Sequence, residues 1–289
     1  LEDIGDPFTM DKSSLNNAWL FGRWSRILEK NVLNTADAVT VTNPGAKQVY
    51  LEHTGVAAQQ IAVVPPLLHP PVENRNNADY PHFDKYDRRV LNLGYFGAFY
   101  APVRTPDALI HLLEKTLERN PEWAGRLQVH LFGEIFPEFW DKLHHNPLIQ
   151  LHGLQSRADV RAAMRQMDIL LHIGNATSYQ LPSKAVEYLA AEKPVVHLSY
   201  IENDPFVAFW GDEPGLLSLN VVQDSIPESD FARWMHYLSA ADKGTPVPAR
   251  GARLQAFTVE AIAAEYARLT GILTRHVSAR DTAELSVHH

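Results

Sequence analysis

Five short apolar runs, at residues 90–96, 127–132, 149–152, 168–173 and 194–198, alternate with helical patterns at 106–119, 157–166 and 183–191, and another helical pattern follows at 229–240. Runs this short and this continuously apolar belong to strands buried on both faces, and strands that alternate with helices pair in parallel. The pattern predicts a doubly wound α/β sheet. In such a sheet the ligand crevice lies beyond the carboxyl ends of the strands. The loops 97–104, 133–136, 153–156, 174–182 and 199–205 all fall on that edge.

A smaller unit of the same kind precedes it. An amphipathic helical pattern runs from about residue 15 to 33 and ends at Asn34-Thr35, followed by the β-rich run Ala38-Val39-Thr40-Val41-Thr42. Asn43-Pro44 is a helix-start signal and Gly55 a stop, after which Ile61-Ala62-Val63-Val64 reads as a buried strand before Pro65-Pro66. This is one βαβ unit. Periodicity then fails, with Pro70, Pro71, Pro81 and Asn74-Arg75-Asn76-Asn77 in the gap. The expected division is therefore a first βαβ portion at 1–65, a linker at 66–88, the main domain at 89–250, and a C-terminal segment at 251–289. That last segment reads as a helix from about Leu254 to Leu273 and a polar, poorly ordered tail. There is no internal repeat.

Composition narrows the partners. The 289 residues are 45% hydrophobic and 21% charged, as in ordinary globular proteins, and the formal net charge is −8. That charge argues against nucleic acid, which wants a concentrated positive footprint. There are no cysteines, so disulfides and thiolate metal sites are excluded. The stretch Leu1–Phe8 has neither the basic start nor the apolar run of a signal peptide, and no segment reaches the roughly 18–20 apolar residues of a membrane span. A cytoplasmic location is expected, and the lack of a starting Met suggests a fragment or processed form.

Residues 180–196 carry the strongest chemical signal. They read as a loop, a short helix opened by Pro182 and Ser183, and a buried strand. A helix start offers unpaired backbone N–H groups and the positive end of the helix dipole. Lys184 opposes that dipole, which points to a negative ligand group at the same spot. Glu187, four residues after Ser183, shares its helical face and can accept hydrogen bonds from vicinal hydroxyls. Ordinary capping and a solvated Lys–Glu pair are the alternative.

The first loop of the main domain holds Gly94, Gly97 and Ala98 and leads to Arg104, which can fork two phosphate oxygens; a tight turn with a surface arginine reads equally well. His152-Gly153-Leu154 and Ile173 through Tyr179 supply small and hydroxyl residues on the same edge, or simple turn chemistry. None of the fourteen histidines falls in a His-Glu-x-x-His pattern, and His144-His145 and His288-His289 do not share a helical face. No metal site is expected. There is no nucleophile elbow and no Walker sequence. Asn175-Ala176-Thr177 matches a glycosylation acceptor only by accident in a chain with no export signal. In the first helix, Trp19, Leu20, Phe21, Trp24, Ile27 and Leu28 alternate with Arg23, Arg26 and Lys30; core packing is expected, an anionic membrane surface being the alternative.

Several runs together resemble one family. They are Thr35 through Thr42, Ile61 to Pro65, Gly94-Tyr95-Phe96-Gly97, Leu151-His152-Gly153, Met167 through Leu171, and Pro182-Ser183-Lys184 through Pro194-Val195-Val196. Their order and spacing resemble the retaining GT-B glycosyltransferases of family four, over most of residues 1–200, and especially the bacterial subgroup with a Pro-Ser-Lys helix start. The resemblance implies two Rossmann-like domains, with 89–250 binding a nucleotide-sugar donor and 1–65 the last portion of the acceptor domain. The helix near 254–273 is then the one that crosses back.

By the same resemblance, Glu187 matches the second Glu of the family's paired-glutamate motif, which contacts the donor ribose. The first Glu is replaced by Tyr179. Arg104 matches the basic residue that stabilises the donor diphosphate, whereas its usual Arg partner is replaced by Ala98, and Lys184 is the substitute for the missing charge. Gly97, Ala98, His152, Gly153, Tyr179, Leu181, Pro182, Ser183 and Glu187 are thus expected at the donor, with Arg104 and Lys184 stabilising the leaving diphosphate. The implied donor is a UDP-sugar or GDP-sugar, without metal or other cofactor. The implied acceptor is a glycan or a lipid-linked glycan at the inner membrane face, and peripheral membrane contact is expected with it. Asp3 and Asp6 are weak acceptor-side candidates. A nucleotide-sugar epimerase of the same architecture and a degenerate donor domain acting as an assembly partner are the rival readings.

Overall fold

The chain is seen in a computed structural model that describes residues 2–4, 22–68, 86–87, 89–99, 101, 104–241 and 250–271. Two compact units emerge. One holds residues 1–70, 178–186 and 252–289, and the other holds 71–177 and 187–251. Most of the 66–88 linker, Asp6, the helical pattern before Gly22, and the tail beyond residue 271 lie outside the described residues.

In the first unit, β1 (Glu2–Ile4), β2 (Val39–Val41) and β3 (Ile61–Val63) form a parallel sheet in the order β1-β2-β3. Helix α1 (Gly22–Thr35) precedes β2, and α2 (Pro44–Thr54) joins β2 to β3. The punctuation of α2 is as the sequence reads. Asn43 Oδ1 accepts from Ala46 N–H at 3.0 Å, Pro44 takes the first turn, and Gly55 closes the helix at φ 74°. Leu33, Val39, Val41, Ala46, Tyr50, Val56 and Ile61 make the core.

Helix α1 departs from the expected core packing. Its inward side is Ser25, Glu29 and Leu33, of which only Leu33 is fully buried, and Glu29 accepts a hydrogen bond from the Tyr50 hydroxyl at 3.2 Å. The apolar stripe instead faces out, with Trp24 65%, Ile27 42%, Leu28 62% and Val32 47% exposed. Arg23, Arg26 and Lys30 are exposed along one flank of that stripe. The helix has room inward for one leucine and a carboxylate, so the periodicity marks an outer face.

The second unit is built on β4 (Leu91–Phe96), β5 (Leu127–Phe132), β6 (Ile149–Gly153), β7 (Ile169–Ile173), β8 (Val195–Ser199) and β9 (Leu216–Asn220). The sheet order is β6-β5-β4-β7-β8-β9 and every pairing is parallel. The chain thus winds outward from β4 in one direction, then from β7 in the other, which makes a doubly wound fold. Its helices are α3 (Asp107–Arg119), α4 (Pro137–His144), α5 (Arg157–Gln166), α7 (Pro205–Trp210) and α8 (Glu228–Ala241), together with α6 (Lys184–Ala190) from Glu187 on; α9 (Gly251–Leu254) from Ala252 and a last helix, α10, at 259–271, are counted with the first unit. The sequence reading lacks β9, α4 and α7, which are short and lie next to loops.

Alternation divides the sheet's side chains between two layers. Leu93, Val129, Leu131, Leu171, Ile173, Val196 and Leu198 pack with Leu109, Leu112 and Leu113 of α3 and Phe231, Trp234 and Leu238 of α8. The Trp234 Nε1–H donates to Thr116 Oγ1 at 2.9 Å. The opposite layer carries polar groups: Asn92, His130, His172 and His197 are all buried. Each therefore needs a partner. Asn92 Nδ2 donates to the Val90 carbonyl at 3.0 Å, which leaves Oδ1 to accept from His130 Nε2 at 2.9 Å. His130 Nδ1 must then accept from His152 Nε2, 3.0 Å away.

Burial first, and the neighbouring His152 second, push the His130 imidazole down to about 4; burial also lowers His152. Both rings are neutral in the folded protein, whereas unfolded histidines protonate near 6.5. The unfolded chain binds more protons in between, so stability is full above about pH 6.5 and falls as pH drops toward about 4. At about pH 5 the loss from His130 alone is on the order of 2 kcal/mol. Urea unfolding at about pH 7.5 and pH 5 is expected to show this loss, and His130→Gln to diminish it; an equal loss in the variant rejects the assignment.

Candidate functional site

The order β5-β4-β7 makes the gap between β4 and β7 the switch point of the sheet, where neighbouring connections leave in opposite directions. Regular pairing between the two strands ends at Tyr95 and Leu171. Beyond it the Tyr188 hydroxyl takes over. It accepts from Phe96 N–H at 3.3 Å and donates to the Leu171 carbonyl at 2.9 Å. Burial pushes its phenol well up, so it keeps the proton that it donates. Tyr188 follows Glu187 directly, so this bridge fixes the helical turn on which Glu187, itself half-buried, is carried.

The loops at the ends of β4, β5 and β6 are locked to one another. Gly97 N–H donates to the Phe132 carbonyl at 2.9 Å, Phe99 N–H to the Glu134 carbonyl at 3.1 Å, and Gly133 N–H to the Gly153 carbonyl at 2.9 Å. A Cβ on Gly133, whose φ is 140°, would stand 2.1 Å from the Gly97 carbonyl oxygen. The two loops touch only because that residue has no side chain. Gly153, at φ 67°, turns the chain after β6. The Ala98 carbonyl accepts from the Tyr95 hydroxyl at 3.1 Å. The His152 ring stacks on Phe132 at 4.3 Å between centroids and is tied to His130. These contacts give Gly97, Ala98, His152 and Gly153 structural duties in addition to their place on the carboxyl edge. Gly133 was missed in the sequence, where it stands as a lone glycine after a strand.

Arg104 is half-buried beside this edge. Its Nη2 donates to Asn175 Oδ1 at 2.7 Å, in the loop that follows β7. A Cβ on Gly97 would approach Arg104 Nη1 to 3.3 Å, so the guanidinium lies over the β4 loop. Its Nε is buried and has no hydrogen-bond partner among the described residues. A buried guanidinium N–H without an acceptor is unfavourable by about 1–3 kcal/mol, more for a charged group, unless a ligand oxygen supplies one.

Tyr179, Leu181, Pro182, Ser183 and Lys184 belong to the first unit, and Gly97, Ala98, Arg104, His152, Gly153 and Glu187 to the second. The Tyr179 carbonyl accepts from Asn43 Nδ2 at 2.8 Å, and its ring packs against the first unit's core. Leu181 is buried, Pro182 half-buried and Ser183 exposed. The Pro182 carbonyl accepts from Ala185 N–H at 2.9 Å, so the first turn forms around it while α6 itself begins at Lys184. Sequence reasoning also passed over a second buried array. His172 and His197 are directly opposed on β7 and β8, with Nδ1 atoms 2.8 Å apart. Among the described residues no group of three or more histidine and carboxylate side chains could hold a metal ion, and no helix is long and apolar enough to cross a membrane.

No family model and no curated protein sequence matches the chain. Solved structures do. Sucrose-phosphate synthase from Thermosynechococcus elongatus superposes with a TM-score of 0.63 at 17% identity, over 92% of this chain and 65% of its own. HepE from Anabaena, solved with UDP and glucose, gives 0.60 at 14% identity, over 93% of this chain and 70% of its own. Trehalose 6-phosphate synthase from Burkholderia multivorans gives 0.61 at 13%, over 95% and 66%. These neighbours are GT-B glycosyltransferases, and the expected mostly parallel, Rossmann-like GT-B architecture is the fold that this chain has. At such identities the likeness is one of fold, and the chain spans about two thirds of their length.

Replacing Tyr188 by Phe removes the bridge and strands one N–H and one carbonyl between β4 and β7. The expected cost is about 1–3 kcal/mol. A thermal melt that does not move would show that the two strands pair without the phenol.

Proposed function

We propose that the chain binds a nucleoside diphosphate sugar, UDP- or GDP-linked, through residues 89–250, and serves a glycosyltransferase that passes the sugar with retention to a glycan or lipid-linked acceptor. The reading needs neither a metal ion nor another cofactor. The observation that carries it is Arg104, held by Asn175 at the switch-point edge with a buried Nε that lacks an acceptor among the described residues. A diphosphate oxygen is the acceptor that such a group fits. Support comes also from the neighbours of like fold, one of which was solved with UDP-glucose.

In this reading the chemical task is to stabilise the departing diphosphate as the acceptor hydroxyl attacks from the same face. Arg104 and Lys184 supply positive charge to it, and Glu187 accepts hydrogen bonds from the ribose hydroxyls. Gly97, Ala98, His152, Gly153, Tyr179, Leu181, Pro182 and Ser183 are assigned to the remainder of the donor contact. Calorimetric titration with UDP, GDP and their sugar conjugates should reveal selective binding to one base. Arg104→Ala and Lys184→Ala should each weaken it by tenfold or more, the equivalent of about 1.4 kcal/mol. Affinity unchanged from the wild-type chain in both variants, or no binding to any of these ligands, would overturn the reading.

The exposed stripe Trp24-Ile27-Leu28-Val32 with its flank of Arg23, Arg26 and Lys30 supports a cytoplasmic protein in peripheral contact with an anionic membrane face. Each such cation contributes about 1 kcal/mol near an anionic surface. Co-sedimentation with vesicles of phosphatidylglycerol should exceed that with phosphatidylcholine and drop several-fold on Arg23→Ala plus Arg26→Ala. Indifference to lipid charge would refute this contact.

A further inference from the structure

Arg89, Arg119, Arg126, Arg233 and Arg268 each face a carboxylate. Arg104 is answered differently. Its Nη2 donates to the side-chain amide of Asn175, at 2.7 Å. An arginine has donors only, so the atom that it meets is necessarily the amide oxygen, Oδ1. Among the described residues Arg104 makes no ion pair. Its positive charge is held in place and left uncancelled.

Backbone fixes both ends of this contact. The Arg104 guanidinium rests over Gly97, where a Cβ would come within 3.3 Å of Nη1, and Gly97 N–H is tied to the Phe132 carbonyl at 2.9 Å. Asn175 lies two residues beyond β7. The residue between them, Gly174, donates its N–H to the Leu198 carbonyl at 2.9 Å and so continues the pairing of β7 with β8. A Cβ on Gly174 would stand 2.7 Å from Asp204 Oδ2 and 3.0 Å from the Leu198 carbonyl oxygen. Its φ lies outside the left-handed region, so the nearness of these oxygens, and not the turn, is what requires a glycine. Asp204 does not give way. It is buried, its Oδ1 accepts from Phe206 N–H at 2.8 Å, and its Oδ2 accepts from the Ser199 hydroxyl at 3.1 Å. Asn175 is thus set at a fixed height at the end of the strand that neighbours β4 across the switch point.

The chemistry of residue 175 decides how much of the arginine's charge remains for a ligand. A carboxylate at this distance would hold the guanidinium more tightly, as a charge-assisted pair, and would turn a negative charge toward any anion that approaches. An aliphatic side chain would leave the guanidinium unaimed. An amide holds it and stays neutral. We propose that Asn175 is a positioning residue of the donor site, a neutral tether that aims Arg104 at the ligand diphosphate and keeps the arginine's charge available to it. The proposal rests on the donor-site reading and extends it to a residue that acts through Arg104.

A neutral tether has a signature that a merely structural hydrogen bond lacks. Asn175→Asp keeps the shape and the acceptor and changes the charge, whereas Asn175→Ala removes the acceptor. If the bond served folding alone, the aspartate variant would match the wild-type chain in stability and in binding. With a tether the two properties part. Thermal melts at about pH 7.5, where an aspartate is ionised, should place Asn175→Asp at or above the wild-type chain and Asn175→Ala below both. Calorimetric titration with UDP and with GDP should rank affinity in another order. The wild-type chain should bind best, Asn175→Ala several-fold more weakly, and Asn175→Asp weakest, by about tenfold or more. The gap between the two variants should narrow as salt is raised, because it comes from repulsion between charges. Gly174→Ala, which shifts the tether and leaves its chemistry alone, should lower affinity too, with circular dichroism confirming that all three variants fold. Wild-type affinity in Asn175→Asp, or weaker binding by Asn175→Ala than by Asn175→Asp, overturns the tether and leaves the donor reading standing. Failure of the wild-type chain to bind either UDP or GDP overturns the donor reading and the tether with it.

Discussion

A parallel sheet covered on both faces gives its strands no water, and every polar side chain placed on it has to find a partner inside. In this chain the layer of the larger sheet opposite α3 and α8 carries Asn92, His130, His172 and His197, and the contacts among them follow from that requirement. Asn92 holds His130, which is tied to His152; His172 meets His197, which reaches Asp204. At the switch point the demand falls on backbone instead, and the Tyr188 hydroxyl answers it between β4 and β7. The carboxyl edge of the sheet inherits its rigidity from these buried contacts, and Arg104 inherits its place from that edge.

Much of the fold was legible because strand burial and helix punctuation are local signals. The runs at 90–96, 127–132, 149–152, 168–173 and 194–198 became β4 to β8 within a residue or so, and Asn43-Pro44 with Gly55 bounded α2. What escaped was short or lay on the rim. Strand β9 has an intermediate or exposed residue at three of its five positions, so it lacks the solid apolar run that marked the others. Helices α4 and α7 are too short to show a period, although Pro137, and Asp204-Pro205, are helix-start signals in hindsight.

For the site, residue identity was legible and residue environment was not. Arg104 and Gly97 could be singled out by type and position, but the reason that Arg104 stands ready for an acceptor depends on Asn175, seventy-one positions away. Histidines 130, 172 and 197 gave no pattern in sequence because their partners are strand neighbours in space. Periodicity in α1 was read correctly as amphipathic and assigned to the wrong side. A hydrophobic stripe says that a helix has two faces; only the room available beneath it says which face turns in.

The segment 178–186 leaves the larger unit and is counted with the smaller one, where Gly45 accepts it closely enough that a Cβ would overlap the Ser178 carbonyl, and Asn43 grips the Tyr179 carbonyl. The chain therefore passes from one unit to the other four times, and helix α6 changes unit between Val186 and Glu187. No single cut frees either unit. A gene shortened to residues 89–250 would encode a segment of foreign origin in the middle of its own product, bereft of the asparagine and glycine it was shaped against. Evolution by swapping whole halves, easy where domains follow one another like beads, here requires a nine-residue patch to be exchanged along with them.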